Sequence, residues 1–158
     1  MKTNNTMTTR RESLNCGLRL AALMASAGLL SAPAHAAWSK EAFDTKSLAD
    51  TVKALGGGAP VQSADITLTG PDIAENGAVV PVGASTSLPG VRRLALLVEK
   101  NPNALAAAFD VSEAVEANVA VRVKMGQSSN VIAVAMMTDG RVLYAQKEIK
   151  VTLGGCGG

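Results

Sequence analysis

An all-β domain is what this sequence predicts: an immunoglobulin-like antiparallel sandwich of about seven strands, preceded by one helix. Three observations carry that expectation. Short runs rich in β-branched and small aliphatic residues recur through residues 61–153, and turn signals separate them. Only 3% of the 158 residues are aromatic while 47% are hydrophobic. A core built from such small side chains must pack closely, and the length admits one modest domain.

Residues 1–36 have the composition of an export signal. Arg10 and Arg11 precede an apolar run from Cys16 to Leu30 that only Arg19 interrupts, and Ala34-His35-Ala36 places small residues where a signal peptidase cuts. The run falls short of the roughly 20 residues that a membrane-spanning helix needs, so a removed leader is expected and no membrane anchor. The bland alternative is an amphipathic helix retained in the mature chain. Thr9-Arg10-Arg11-Glu12-Ser13-Leu14 resembles the twin-arginine export motif, with Ser13 where an aromatic residue is usual. Cys16 stands at the very start of the apolar run, whereas a lipid-modified cysteine follows one. The expected destination is the periplasm, by the twin-arginine route in preference to general secretion.

After the leader, residues 37–60 hold one helix and a Gly/Pro linker. Ser39 caps a helix running to about Leu55, with Leu48, Val52 and Leu55 on one face, and Gly56-Gly57-Gly58-Ala59-Pro60 ends it. From residue 61 the period becomes two. Asp65–Thr69 alternates and stops at Gly70-Pro71-Asp72; runs at 78–82, 91–99, 104–109, 119–125, 130–137 and 141–153 follow, the Ala-rich run at 104–109 being open to a helical turn instead. Asp139-Gly140 is the strongest hairpin signal, on the expectation that both residues take the positive φ of a type I′ turn. The open edges of such a sandwich must be covered, and a partner chain is one way to cover them.

Charge and side-chain inventory exclude several functions. Removing residues 1–36 takes four of the 15 basic residues and one of the 13 acidic ones, leaving 11 and 12, so the mature chain is near neutral. Nucleic acid is excluded, because there is neither a basic stripe nor an aromatic stacking surface. The same cut removes His35 and Cys16, leaving Cys156 and no histidine. Ser-His-Asp and Cys-His catalysis lack their base, and zinc or haem lacks a ligand set; no cofactor and no metal are expected. Met125, Met136 and Met137 suggest a soft-metal patch only superficially, since Met136 and Met137 are neighbours that point to opposite faces of a strand. Arg92-Arg93 is a solvated strand start more readily than an anion site.

The last ten residues are the most informative. Ile149, Val151 and Leu153 alternate with Lys150 and Thr152, which makes a half-buried strand; Gly154, Gly155, Gly157 and Gly158 then flank Cys156. Residues 154–158 are expected to form a flexible, exposed arm. Glycine presents only backbone width beside the sulfur, so the thiol fits a narrow channel in another protein. No neighbouring base or cation lowers its pKa from about 8.5, so activation falls to the partner's site. A carrier is expected, with no catalytic residues of its own. The alternative, a tail whose cysteine is incidental, leaves a reactive thiol exposed in an exported protein to no purpose.

Gly154-Gly155-Cys156-Gly157-Gly158 at the end of an exported β-domain resembles the SoxY sulfur-carrier family of the thiosulfate-oxidising Sox system. The resemblance covers most of the mature chain. It includes the opening helix ending in Gly-Gly, Pro71-Asp72-Ile73-Ala74-Glu75-Asn76-Gly77 followed by Val80-Pro81-Val82, Glu99-Lys100-Asn101-Pro102, and Val151-Thr152-Leu153 leading into the arm. It implies an immunoglobulin-like subunit that forms a heterodimer with SoxZ and attaches sulfur covalently at Cys156. It further implies that the c-type haem enzyme SoxAX joins thiosulfate to that cysteine, that the hydrolase SoxB releases sulfate, and that in some systems a sulfane dehydrogenase oxidises the remaining sulfur. Two other functions stand beside it. One is a thiocarboxylate carrier working through the Gly158 carboxylate, which needs ATP that the periplasm lacks; the other is a structural module joined by an intermolecular disulfide.

Overall fold

Two strands fix the architecture, because each is apolar on both faces. β5 (Val91–Val98) buries Leu94, Leu96 and Val98 on one side and Ala95 and Leu97 on the other; β8 (Ser129–Met137) buries Val131, Ala133, Ala135 and Met137 opposite Ile132, Val134 and Met136. A strand buried on both faces gives an unbroken apolar run, and its sheet needs a layer on each side. The computed structural model, which describes Leu14 and residues 39–153, supplies both layers.

The large sheet has the order β1 (Pro60–Gln62), β9 (Val142–Leu153), β8, β5, β6 (Leu105–Asp110), and β3 (Ile73–Asn76) also pairs with β9. A small sheet of β2 (Thr67–Thr69), β4 (Val80–Ser85) and β7 (Asn118–Val123) packs on one face. Ile66, Val80, Val82, Ala84 and Val123 meet Leu94, Leu96, Val131 and Ile149 there, with Met125 filling the gap at 0% exposure. The other face is covered by α1 (Lys40–Phe43) and α2 (Leu48–Ala54), whose Ala42 and Val52 bury against Leu97, Val134 and Met136. Met136 and Met137 thus belong to separate cores on opposite sides of one strand, as their adjacency in sequence requires.

The immunoglobulin-like sandwich is present, with four corrections. The single helix is two. Ser39 caps the first and Ser47 the second, and Thr45 Oγ1 donates to the Ala42 carbonyl at 2.6 Å, turning the chain between them. Leu48, Val52 and Leu55 do line the inner face, and Phe43, which is out of step with them, belongs to the separate first turn. The second helix ends in a Schellman arrangement, with Gly57 N–H on the Val52 carbonyl at 2.8 Å and Gly56 N–H on the Lys53 carbonyl at 3.0 Å.

Among the described residues nine strands form instead of about seven. β1 and β3 are three and four residues long, too short to show a period, and both pair parallel with β9, so the sandwich is not wholly antiparallel. Their partners lie far away in sequence, which no local signal reveals. The Ala-rich run at 104–109 is strand, as β6, and not a helical turn.

The hairpin at Asp139-Gly140 exists, but not as type I′. Gly140 alone takes positive φ, at 90°, and no non-glycine residue among those described does. Gly140 N–H bonds the Met137 carbonyl at 3.2 Å and Met137 N–H bonds the Arg141 carbonyl at 2.9 Å, a three-residue loop closed by a glycine bulge. Asp139 instead uses its carboxylate to accept from Arg141 at 2.6 Å.

Candidate functional site

The strand that leads to Cys156 is held on both edges to its last turns. On one side β8 pairs with β9 from Met136↔Val142 to Ser129↔Ile149, and beyond that ladder Val151 N–H donates to Ser128 Oγ at 2.9 Å. On the other side β3 runs parallel, with Ile73↔Lys150, Ala74↔Val151 and Asn76↔Leu153. Lys150 N–H donates to the Asp72 carbonyl at 3.0 Å and Thr152 Oγ1 to the Glu75 carbonyl at 3.0 Å. Ile149 anchors this end in the core at 1% exposure. Lys150 and Thr152 are exposed, as their alternation predicts.

Electrostatics reinforce the clamp. Lys147 Nζ donates to the Gly70 carbonyl at 2.6 Å and pairs with Asp72 Oδ1 at 2.8 Å. That hydrogen bond, with the attraction of the ammonium charge, holds the Asp72 carboxyl below the usual carboxylate range. Two surface pairs elsewhere act alike: Arg93 lowers Asp110 from 2.6 Å, and Arg141 lowers Asp139. Arg92 Nη2 donates to the Gly56 carbonyl at 3.3 Å, so the paired arginines fasten neighbouring segments at the start of β5.

The loops around this end are latched to one another. Asn76 Oδ1 accepts from Ala78 N–H at 2.8 Å, and Met125 N–H reaches the Gly77 carbonyl at 2.7 Å. Asn101 Nδ2 donates to the Lys124 carbonyl at 2.7 Å while its Oδ1 accepts from Gly126 N–H at 3.3 Å. Lys100 N–H donates to Ser129 Oγ at 3.0 Å, and Asn130 Nδ2 to Glu99 Oε2 at 2.9 Å. Both internal segments that carried the resemblance, 71–77 and 99–102, therefore build the end of the sandwich from which the chain continues past Leu153.

Cys156, Gly154, Gly155, Gly157 and Gly158 lie outside the described residues, as do Arg10 and Arg11. Sequence reasoning singled out that pentapeptide and did not find the contacts that hold its root, those of Lys147, Asp72 and Ser128. Pro71-Asp72 was visible as a turn; its pairing with β9 was not. Among the described residues no three His, Cys, Asp or Glu side chains gather as a metal site, and no helix is long and apolar enough to cross a membrane.

Fold and root together define an immunoglobulin-like domain whose final strand is clamped where it delivers a cysteine-bearing segment. Residues 52–156 match the family model described as sulfur oxidation protein SoxY, a match that ends on Cys156. The chain belongs to the SoxY family. The structure of the sulfur carrier protein SoxY from Chlorobium limicola f thiosulfatophilum is similar, with 32% identity and a TM-score of 0.58 over 65% of this chain and 92% of that one. A superoxide reductase (neelaredoxin) from Ignicoccus hospitalis has 20% identity and a TM-score of 0.49 over 54% of this chain and 79% of that one. The fibronectin(III)-like modules of Clostridium thermocellum CbhA have 16% identity and a TM-score of 0.43 over 54% and 93%. No curated protein matches the chain.

Proposed function

We propose that this chain is a periplasmic sulfur carrier that holds thiosulfate-derived sulfur covalently on Cys156 and presents it to partner enzymes, with no catalysis of its own. Membership of the SoxY family and likeness to a sulfur carrier protein support the carrier role. The observation that carries the finer reading is the root. β9 is fixed on one edge as far as Val151 and on the other as far as Leu153, and the one cysteine left after removal of residues 1–36 follows Leu153 by three residues.

Loading is an oxidation. The Cys156 thiol loses its proton, its sulfur bonds the outer sulfur of thiosulfate, and two electrons pass to a c-type haem enzyme of the SoxAX kind. Water then cleaves the terminal sulfonate as sulfate in a SoxB-type hydrolase, leaving a persulfide, which a sulfane dehydrogenase consumes where one is present. A SoxZ-type subunit pairs with the domain as a heterodimer. Export by the twin-arginine route places the carrier beside these enzymes.

Intact mass spectrometry of the exported protein tests this reading. Sulfur adducts on Cys156 that a reductant strips are the expected result. A mature protein that shows only a plain disulfide dimer, with thiosulfate oxidation unchanged in Cys156→Ser, overturns it.

A further inference from the structure

The outer face of the small sheet sets two cations beside an apolar strip. β2, β4 and β7 carry one charged side chain between them, Arg122, and Lys124 follows just past the end of β7. Exposure alternates through this stretch, with Arg122 and Lys124 exposed and Val123 and Met125 buried, and the Met125 N–H bond to the Gly77 carbonyl extends the pairing that ends at Val80↔Val123. The two cations therefore share the outer face about 7 Å apart. Neither is in an ion pair among the described residues. Pro81, exposed, is the register partner of Arg122, and Val79, 54% exposed, stands one step on, level with Lys124. A groove of about 510 Å³ opens on this face between Pro71, Pro81, Gly83, Ala120 and Arg122. Gly83 gives it a bare floor: a Cβ there would already stand 2.6 Å from Thr69 Oγ1.

This face begins at the root of the C-terminal segment. Leu153 pairs with Asn76, the next residue Gly77 bonds Met125, and Lys124 precedes Met125. Cys156 lies three residues beyond Leu153, a reach of about 10 Å at full extension. The other cations near the root already have acidic neighbours. Lys147 is paired with Asp72, and Lys150, on the opposite face of β9, has the exposed Glu148 two residues away on that face and Glu75 on the same side of β3.

We propose that this groove seats the C-terminal segment when Cys156 carries a thiosulfonate, with the sulfonate between Lys124 and Arg122 and the divalent sulfurs along Val79 and Pro81. On the carrier reading, from which the cargo is taken, a thiosulfonate suits the site twice over: its divalent sulfurs are soft and apolar, and its sulfonate is an anion at every physiological pH. The unloaded thiol, with a pKa of about 8.5, is neutral and offers these cations no charge. The seat thus tells the loaded carrier from the empty one and covers the sulfur–sulfur bonds against stray thiols. Two exposed ion pairs hold weakly, so the segment leaves readily for a partner enzyme's channel.

Tetrathionate loads the exported chain without any partner enzyme: the Cys156 thiolate attacks an inner sulfur, thiosulfate leaves with the bonding pair, and Cys156 keeps the S–SO3− group. Backbone amide shifts of residues 79–83 and 120–124 should then differ from those of the unloaded chain. Alkylation with iodoacetamide, which leaves a neutral adduct, should not move them, and high salt should reverse the change. In the double variant Arg122→Gln, Lys124→Gln the shifts should vanish, and dithiothreitol should strip the thiosulfonate about three- to tenfold faster. Lys150→Gln, on the opposite face, should leave that rate as it is. Shifts confined to the residues beside Leu153, equal shifts with the neutral adduct, shifts that grow with chain concentration as a second copy's segment would produce, or unchanged stripping in the double variant overturn the proposal. Adducts found on the exported protein bear only on the carrier reading, so either can fail without the other.

Discussion

Lys147 Nζ, midway along β9, lies 2.8 Å from Asp72 Oδ1 and 2.6 Å from the Gly70 carbonyl oxygen, so one ammonium ties the final strand to the turn that opens β3. The side chain of Asp72 is 89% exposed and that of Lys147 34%, so water screens the pair. Its value is positional: it sets β3 against the last residues of β9.

The pair gives a pH dependence with a definite sign. Asp72 is held below its unfolded range, so its contribution is complete above the ordinary carboxylate pKa of about 3.9 and disappears as pH falls through the lowered folded value. Hydrogen exchange at Ile73–Asn76 should speed up in acid relative to β5 and β8. Asp72→Asn should show the faster exchange already at neutral pH, with little change in global unfolding.

Asn101 bonds both ends of the 124–126 turn. Replacing it with alanine removes two hydrogen bonds and should cost about 1–2 kcal/mol in urea denaturation. A loss near zero would mean that water replaces both bonds without penalty.

Gly57 touches the second core. A Cβ there would stand 2.7 Å from Met136 Cε and 2.7 Å from Val52 Cγ1, and both side chains are fully buried. Gly57→Ala should therefore destabilise by about 1–3 kcal/mol, and Leu94→Ala, which empties space at 0% exposure between the sheets, by about 2–5 kcal/mol. Thermal unfolding measures both.

Bulky replacements at Gly155 and Gly157 act on function alone. They follow the last residue of β9 in the sequence, so on the expectation of an exposed arm the midpoint of unfolding should hold while turnover by partner enzymes disappears. A variant that unfolds would refute the expectation of an exposed arm.

Much of the strand pattern was legible because burial writes itself locally. β5 and β8 show as apolar runs, and the alternation at 149–152 matches the observed exposure. Where the sequence misled, two alternatives were locally alike. Ser39 and Ser47 are both good caps, and only Thr45, bonded back to Ala42, separates one helix into two. Asp139-Gly140 suits type I′, yet the pairing of Met137 with Arg141 demands a three-residue loop, which needs positive φ at Gly140 alone.

The sequence by itself determined the β-sandwich class, the small-aliphatic core and the cysteine-bearing segment, since each rests on the identity and spacing of neighbouring residues. The tertiary structure alone decided that β1 and β3 pair parallel with β9, that Lys147 meets Asp72, and that β6 is left as the open edge. Those depend on contacts across up to 82 residues, from Pro60 to Val142, and a period of two says which face a side chain takes but never which strand lies beside it.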